Sequence, residues 1–353
     1  MEVANSAGTE PQRHIQLYTL IALDVANAFN SARWEKIEEA LCKKKLSDYM
    51  LRILKSYLSN RELLFGDSDS CEVSHEVTCG VPQESVLGPL LWNIMYDSLL
   101  EIDLGGNSPG YSSSSLVAFA DDVALIATGR DTENLESAMN TALARVAEWM
   151  EDNDLKLAIP KTEAIMLTSK RAYERPSFMI NGEPVQLKEQ IRYLGVELNR
   201  SMSFKNYIKT AAAKAEKTAA ALTRILPNVG GPRQRIRKIL SSVVHSQLLY
   251  AAPVWSGSLV HEHYVKMLER PQRTIGLRVA MAYRTVSTQA ALVVSGLIPA
   301  YLMAIERTET ANGRKEGNLD TTETRNRTLQ KWQEEWDSSD TGRWAHRLIR
   351  DVK

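Results

Sequence analysis

The sequence has few cysteines, no long hydrophobic run and no excess charge of either sign. Its 353 residues include three cysteines, which lack the spacing of a metal site: Cys42, Cys71 and Cys79. Their odd number and the lack of a signal sequence predict a reducing, intracellular setting, in the nucleus or the cytoplasm. The longest apolar stretch, 290–305, is interrupted by serine, glycine and proline. No apolar run reaches the length of a membrane-spanning helix.

The overall charge balance hides a strongly basic region. Lysine plus arginine and aspartate plus glutamate number 43 each, so the formal net charge is zero. Between Lys205 and Arg278, however, thirteen Lys and Arg stand against three Asp and Glu, a net charge of +10. Solvated helix faces usually carry mixed signs, so this excess predicts a face that binds nucleic acid. The residues singled out for that role are Arg233, Arg235, Arg237 and Lys238.

Strand-like and helix-like segments alternate irregularly up to about residue 199, and helical periodicity dominates beyond it. This order predicts an α+β fold followed by a mostly helical region. Predicted strands are 17–23, 164–168 and 192–198, with hairpins at 63–77, 116–127 and around 181–182. Predicted helices are about 33–44, 47–58, 86–100, 131–150, 204–226, 232–250 and 261–279. The segment 105–115 is interpreted as a loose loop and 307–327 as a linker, before a last segment with Trp332, Trp336 and Trp344.

The hairpin 116–127 is the stretch around which the chain is organised. Two short apolar runs flank the adjacent carboxylates Asp121 and Asp122. Two like charges at the tip of a buried hairpin repel each other and lose hydration, and a divalent cation would remove both costs. Aspartate is also a common turn residue, so these twelve residues by themselves fit a plain turn equally well.

A second apolar run, Leu17–Leu23, also ends in a carboxylate, Asp24. A ligand at the end of a strand is held on a rigid element, although Asp24 alone would also fit a helix cap or a turn. Further along, the glycines and prolines of 80–89 force a fixed loop before a buried helix. Gln83 and Ser85 would lie near the start of that helix, where free N–H groups favour phosphate. A loop that simply enters a core helix remains the alternative.

Five ordered motifs carry a family resemblance, namely Asp24 with Phe29, 80–83 (Gly-Val-Pro-Gln), 119–122 (Phe-Ala-Asp-Asp), 161–163 (Lys-Thr-Glu) and 193–196 (Tyr-Leu-Gly-Val). Their order and spacing resemble the palm of a reverse transcriptase from a non-LTR (LINE-type) retrotransposon. The C-terminal sequence resembles the insect-type, R1-like branch at 246–255, 272–273, 282–287 and 342–349. The resemblance covers nearly the whole chain. It implies a polymerase palm at 1–199, a helical thumb-like domain at 200–305, and a linker with a Trp-containing segment at 306–353.

The resemblance implies an RNA-directed DNA polymerase that uses two Mg²⁺ ions, with Mn²⁺ as an alternative. Asp24 and Asp121 match the metal ligands, and Asp122 matches the second aspartate of the pair, which we also assign to the metal site. The implied partners are an RNA template, a DNA primer and deoxynucleoside triphosphates, with no membrane. The oligomeric state is left open.

Other positions inherit roles from the same resemblance. Phe29 matches the bulky residue that excludes a ribose 2′-hydroxyl. Gln83 and Ser85 fall in the loop that packs on nucleotide and template, and Lys161 matches a basic residue near the phosphates. The turn that grips the primer corresponds to Tyr193, Leu194 and Gly195.

The sequence departs from the family pattern at three places. Glu84 stands where the pattern has glycine, which would allow positive φ and close approach to nucleic acid. The fingers region before the first catalytic strand is absent, and Arg350 replaces a proline. We therefore expect a truncated element copy or a partial gene product. An inactive relic that still binds nucleic acid is the alternative function, and a metal-dependent nuclease is a weaker one because no water-activating base is evident.

Overall fold

The computed structural model describes residues 17–66, 72–82, 84–108, 111–168, 170, 173–318 and 320–352. Gln83, assigned above to the nucleotide loop, and Cys71 lie outside these residues. The chain divides into two compact units. One runs to Gly195 and includes Asn199–Met202, and the other comprises Val196–Leu198 with Ser203–Lys353.

The first unit is built on a five-stranded sheet with the order β4-β5-β1-β6-β9. The strands of the described residues are β1 (Leu17–Leu23), β2 (Arg61–Gly66), β3 (Glu72–Val77), β4 (Ser112–Phe119), β5 (Asp122–Gly129), β6 (Glu163–Leu167), β7 (Met179–Ile180), β8 (Glu183–Pro184), β9 (Gln186–Lys188), β10 (Gln190–Tyr193) and β11 (Val196–Asn199). Strand β1 lies at the centre and pairs antiparallel with β5 and β6. The sheet is antiparallel except for the parallel β6–β9 pair. This α+β architecture confirms the fold class predicted from the sequence.

Helices cover this sheet and form most of the second unit. They are α1 (Ala28–Ser31), α2 (Trp34–Lys43), α3 (Asp48–Leu58), α4 (Leu87–Tyr96), α5 (Thr132–Asp152), α6 (Lys205–Ile225), α7 (Gln234–Leu248), α8 (Ala252–Trp255), α9 (Glu262–Val279), α10 (Thr288–Ser295), α11 (Ala300–Lys315), α12 (Thr321–Ser338) and α13 (Arg343–Leu348). Helix α5 packs on the sheet through an apolar face that includes Leu135, Met139 and Val146, all buried. Asp131 caps it, because its side chain accepts a hydrogen bond from the backbone N–H of Asn134 at 2.8 Å.

Three segments differ from the sequence prediction. The predicted strand 192–198 is a hairpin of β10 and β11, because Leu194 (φ 45°) and Gly195 (φ 78°) turn the chain. The segment 105–115 is a loop only in part, since β4 begins at Ser112 and pairs with β5. The segment 307–327 is mostly helical, since α11 continues to Lys315 and α12 begins at Thr321.

The core of the second unit contains buried tryptophans and a buried arginine. Trp332 and Trp336 of α12 lie in its core, whereas Trp344 is exposed. Arg237 is fully buried, and its guanidinium donates hydrogen bonds to the carbonyls of Pro232 (2.7 Å), Pro227 (2.5 Å), Arg278 (2.9 Å) and Leu226 (3.4 Å). The assignment of Arg237 to a nucleic-acid-binding face is therefore wrong. Its charge satisfies backbone carbonyls instead of facing solvent.

Within the described ranges, no single helix has the length and apolar character to cross a membrane. Helices α10 and α11 meet those criteria only when taken together, and the chain bends by 61° between them.

A buried polar network joins α7, α9 and the start of α11. The side-chain amide of Gln272 donates to the carbonyl of Ile298 at 2.7 Å and accepts from the backbone N–H of Ala300 at 2.8 Å. These contacts point the amide nitrogen of Gln272 at Nε2 of His245, 3.0 Å away, so Nε2 acts as the acceptor. Burial lowers the pKa of His245 to about 4. A protonated ring would also place two donors face to face.

We predict that acid weakens the second unit through His245. The folded pKa, about 4, lies below the ordinary value of 6.5. The unfolded chain therefore takes up the proton first, and stability is lost as the pH falls from 6.5 towards 4, by at most about 3 kcal/mol. The hydrogen-exchange protection factors of α7 and α9 peptides, corrected for the slower intrinsic exchange at low pH, should fall across this range in the native chain. His245→Gln should flatten that dependence, and His75→Gln, at an exposed position, should not. Parallel profiles for all three proteins would contradict the assignment.

Candidate active site

Sheet register brings two of the predicted carboxylates together. Leu23 at the end of β1 pairs with Val123 of β5, so the next positions outward are Asp24 and Asp122. Asp121 lies in the two-residue turn between β4 and β5, immediately before Asp122, the first residue of β5. All three aspartates therefore lie at one end of the central strands, as the apolar runs before Asp24 and on both sides of the Asp pair predict.

The pKa of Asp122 reflects its closeness to Asp24 and Asp121. Burial raises its pKa, and the charges of Asp121 and Asp24 raise it further. A carboxyl whose proton affinity is raised by two like-charged neighbours is in a field that favours a cation.

Three polar atoms near these carboxylates are buried without a hydrogen-bond partner in the described part of the chain. They are Oδ2 of Asp24 and the hydroxyls of Tyr96 and Tyr193. The ammonium of Lys161 lies 3.3 Å from Oδ2 of Asp24, close enough for an ion pair but not aligned for a hydrogen bond. Three-quarters of the Lys161 side chain is exposed, so this pair is weak and easily displaced. Burial raises the pKa of Tyr193, and the negative charge of Asp122 raises it further.

The carboxylates do not form a closed cage. Within the described ranges, no group of three or more His, Cys, Asp or Glu side chains is arranged to hold a metal ion. The donor set nevertheless fits a hard divalent cation, because it consists of carboxylate oxygens and one of them is buried and unsatisfied. The assignment of Asp24, Asp121 and Asp122 as metal ligands therefore stays a prediction.

A buried indole supports the turn that carries Asp121. Trp92 of α4 is fully buried, and its N–H donates to the carbonyl of Ala120 at 3.1 Å. Ala120 has φ 55°, a left-handed conformation that costs a non-glycine residue roughly 1–2 kcal/mol. The hydrogen bond from Trp92 thus helps to hold a strained residue immediately before the carboxylate pair.

The same indole belongs to a ladder of four aromatic rings. Phe29 lies on one side of Trp92, with ring centroids 5.2 Å apart, and Tyr96 stacks on it at 4.8 Å. Trp149 meets Tyr96 edge-on at 5.4 Å. Burial and the charge of Asp121 raise the pKa of Tyr96. The ladder connects the predicted sugar-selecting residue with the turn of the carboxylates.

Trp92 and Tyr96 were not among the site residues predicted from the sequence. They lie four residues apart on a helix that is apolar nearly all round, which indicates core packing. The only sequence signal was the N–H of Trp92, since the N–H of a buried indole usually has a specific partner.

The loop before α4 is fixed at both ends. At one end, the backbone N–H of Gly80 donates to Ala32 and that of Val81 to Phe29, at 2.7 and 2.8 Å. At the other end, the hydroxyl of Ser85 donates to the carbonyl of Pro82 at 2.8 Å and accepts from the N–H of Gly88 at 2.9 Å. A Cβ on Gly88 would lie 2.2 Å from the carbonyl oxygen of Pro82, so only glycine fits there.

These contacts give Ser85 a structural role in the loop. Its assignment to substrate binding stays a prediction, and Gln83 beside it lies outside the described residues. Glu84 is exposed and has φ 59°. This is the positive φ for which the family pattern uses glycine, so the strain expected at Glu84 is present.

The remaining candidates lie in separate places. Tyr193 ends β10, and Leu194 with Gly195 forms the turn to β11; their assignment to the primer stays a prediction. At the N-terminal end of α7, Arg233, Arg235 and Lys238 are exposed. Their assignment to nucleic acid stays a prediction, without Arg237.

Comparisons with known proteins agree with this geometry. Residues 4–198 match the family described as reverse transcriptase (RNA-dependent DNA polymerase). The chain is 30% identical over 299 residues to the Retrovirus-related Pol polyprotein from type-1 retrotransposable element R1 2 of Nasonia vitripennis, covering 78% of this chain and 71% of that protein. It is 29% identical over 368 residues to the Putative 115 kDa protein in type-1 retrotransposable element R1DM of Drosophila melanogaster, covering 98% of this chain and 35% of that protein.

Among solved structures, apo telomerase from Candida tropicalis aligns with a TM-score of 0.44 and 10% identity, over 88% of this chain and 54% of that one. A superposition this loose supports no inference, and the family assignment rests on the sequence matches. The family match covers more than half of the chain and includes every carboxylate of the candidate site. The chain belongs to the reverse transcriptase family, in its non-LTR, R1-like branch.

Proposed function

We propose that this chain is an RNA-directed DNA polymerase that adds deoxynucleotides to a primer 3′-hydroxyl. The observation that carries the proposal is the placement of Asp24 opposite Asp122 and beside Asp121, with a buried oxygen of Asp24 left unsatisfied. In the reaction, the 3′-oxygen forms a bond to the α-phosphorus of the incoming nucleotide, and the bond to the leaving pyrophosphate breaks.

Asp24 and Asp121 would hold the divalent ions, Mg²⁺ or Mn²⁺, and Asp122 would add negative charge to their site. Bound ions of this class supply Lewis-acid activation of the hydroxyl and neutralise charge on the triphosphate. The carboxylates themselves are held by the backbone: the carbonyl of Asp24 accepts from the N–H of Ala158 at 2.8 Å, and Trp92 fixes the turn before Asp121. Such fixed positions matter because misplaced ligands lose transition-state stabilisation.

Lys161 and Phe29 would act on the nucleotide. Lys161 offsets the charge of Asp24, and its exposed ammonium is free to move to a phosphate when a cation takes its place. Phe29 is half-buried and packs on Trp92, whose N–H reaches the turn that carries Asp121. We infer that the ring of Phe29 faces the sugar of a nucleotide bound at the carboxylates. A bulky ring there would leave no room for a ribose 2′-hydroxyl, which favours deoxynucleotides.

Template and primer would be held by charge and by the β10–β11 turn. The turn residues Tyr193, Leu194 and Gly195 would contact the primer, and the exposed basic residues of α7 would contact phosphates. The family resemblance supports both assignments, and the exposure of the basic residues supports the second.

Primer extension on an RNA template tests the proposal. Asp121→Asn preserves shape but removes the charge that would hold a cation, so we expect the rate to fall by about 1,000-fold, equivalent to roughly 4 kcal/mol of barrier. Asp154→Asn is the matched control, because Asp154 is exposed in the same unit and forms only a surface pair with Arg33 at 3.7 Å. Equal rates for these two variants would overturn the assignment of the site.

A second prediction concerns Glu84. At φ 59° glutamate is strained, and it places a negative charge in the loop that would face phosphates. We expect Glu84→Gly to raise the extension rate at least about tenfold, equivalent to about 1.4 kcal/mol.

Glu84→Ala separates the two causes, because alanine removes the charge and keeps the strained φ. A gain with glycine alone would identify the backbone as the cause, and equal gains would identify the charge. Unchanged rates for both variants would show that Glu84 faces solvent without consequence.

A third prediction concerns Trp92. Trp92→Phe keeps an aromatic ring beside Phe29 and Tyr96 but removes the N–H that reaches Ala120. We expect weaker Mn²⁺ binding by about three- to tenfold, since one neutral hydrogen bond is worth about 1 kcal/mol. Discrimination between deoxy- and ribonucleotides should stay unchanged. Titration of Mn²⁺ by electron paramagnetic resonance measures the first quantity without turnover. Unchanged Mn²⁺ affinity together with altered sugar selectivity would assign Trp92 to the support of Phe29 alone.

A further inference from the structure

A second concave site lies within the C-terminal unit. It is a cavity of about 530 Å³ between α8, α11 and the first turn of α12. Its floor is apolar and formed by the segment around Leu249, Ala252 and Pro253. Its rim carries three arginines, Arg307, Arg314 and Arg325, which we call the arginine pocket.

The charge of this pocket is not balanced locally. Arg325 pairs with Glu306, with Nη1 3.1 Å from Oε2, and Glu306 is mostly buried. In the described part of the chain, Arg307 and Arg314 have no carboxylate within ion-pair distance. The rim therefore carries two uncompensated positive charges. Arginines on a solvated helix usually find acidic neighbours, as Arg327 of α12 does with Glu309.

The arginines are presented on a rigid support. Arg307 and Arg314 lie seven residues apart on α11, two helical turns and about 10 Å along the axis. Nη1 of Arg307 donates to the carbonyl of Leu249 at 2.8 Å, which fixes this guanidinium against the pocket floor. The two guanidinium groups of Arg307 and Arg314 are thus spaced along an apolar surface. This spacing suits successive phosphates of one chain better than a single small anion. The planar fork of arginine matches phosphate oxygens in pairs.

We propose that the arginine pocket binds the sugar–phosphate backbone of a single nucleic-acid strand. Arginine forks also fit carboxylates, so an acidic protein segment would satisfy the same charges. Membership in a family that copies nucleic acid favours the phosphate chain. The inference does not depend on catalysis, because binding is measured without nucleotides or turnover.

The test is binding of a fluorescein-labelled 20-nucleotide single-stranded RNA, followed by anisotropy at several salt concentrations. Arg314→Gln removes an exposed charge whose side chain makes no hydrogen bond or ion pair with the described residues, so the fold should be retained. We expect the Kd to rise about three- to tenfold near physiological salt and the salt slope to fall by about 0.7, as loss of one phosphate contact on a single strand requires. Arg347→Gln makes the same charge change at another exposed position of this unit and should leave the slope unchanged. Equal slopes for the two variants would overturn the proposal.

Competition identifies the ligand class. Arginine modification by phenylglyoxal, read by mass spectrometry of α11 peptides, should be blocked at Arg314 by the RNA at micromolar concentration. The DNA strand of the same sequence separates the two sources of backbone phosphate. Equal protection by DNA would show that the pocket binds either backbone, and weaker protection would show a preference for RNA. Equal protection by inorganic phosphate at that concentration would reduce the pocket to an anion site. Protection by polyglutamate but not by either strand would reassign it to an acidic protein partner.

Discussion

Repulsion among three carboxylates is the constraint on which the first unit depends. Asp24, Asp121 and Asp122 are brought together by the antiparallel pairing of β1 with β5 and by the turn that leaves β4. Strand pairing over the full length of β1 and the burial of Leu17, Ile21 and Leu23 stabilise this arrangement against the charges. Strand pairing and burial thus offset the electrostatic repulsion of the three carboxylates. A cation that bound there would relieve this repulsion without having to assemble the site.

The aromatic ladder extends that constraint away from the sheet. Trp92 contacts Phe29 through its ring and Ala120 through its N–H, so one side chain touches both the ring expected to select the sugar and the turn expected to hold the metal. The preceding loop fixes where α4 begins, since Ser85 and Gly88 lock its first turn. A change in that loop would therefore reach the carboxylates through α4.

Most elements of the fold and the carboxylates of the site could be predicted from the sequence, because apolar periodicity and ordered motifs mark them directly. The role of Arg237 could not be read from net charge, which counts cations without saying which way they point. Its position on the buried stripe of α7, with Ser241, Val244 and Leu248, was the available signal. Gly231 leaves room for it, since a Cβ there would lie 2.4 Å from Nη2 of Arg237. The segment 307–327 was predicted as a linker because its composition is polar. The helices that occupy it bury only a narrow face, which in α12 includes Trp332 and Trp336.

Glu84, just before α4, and Ala120, which accepts a hydrogen bond from α4, both have a strained backbone. They differ in what holds that conformation. Ala120 at φ 55° receives a hydrogen bond from a fully buried indole, so its conformation is determined by the core. Glu84 at φ 59° is exposed, and its conformation follows from the loop anchored around it by Gly80, Val81 and Ser85. Strained backbone persists only where neighbouring structure over-determines it. The loop therefore keeps a backbone conformation that glycine would adopt without strain. At Glu84 this conformation carries a charged side chain instead.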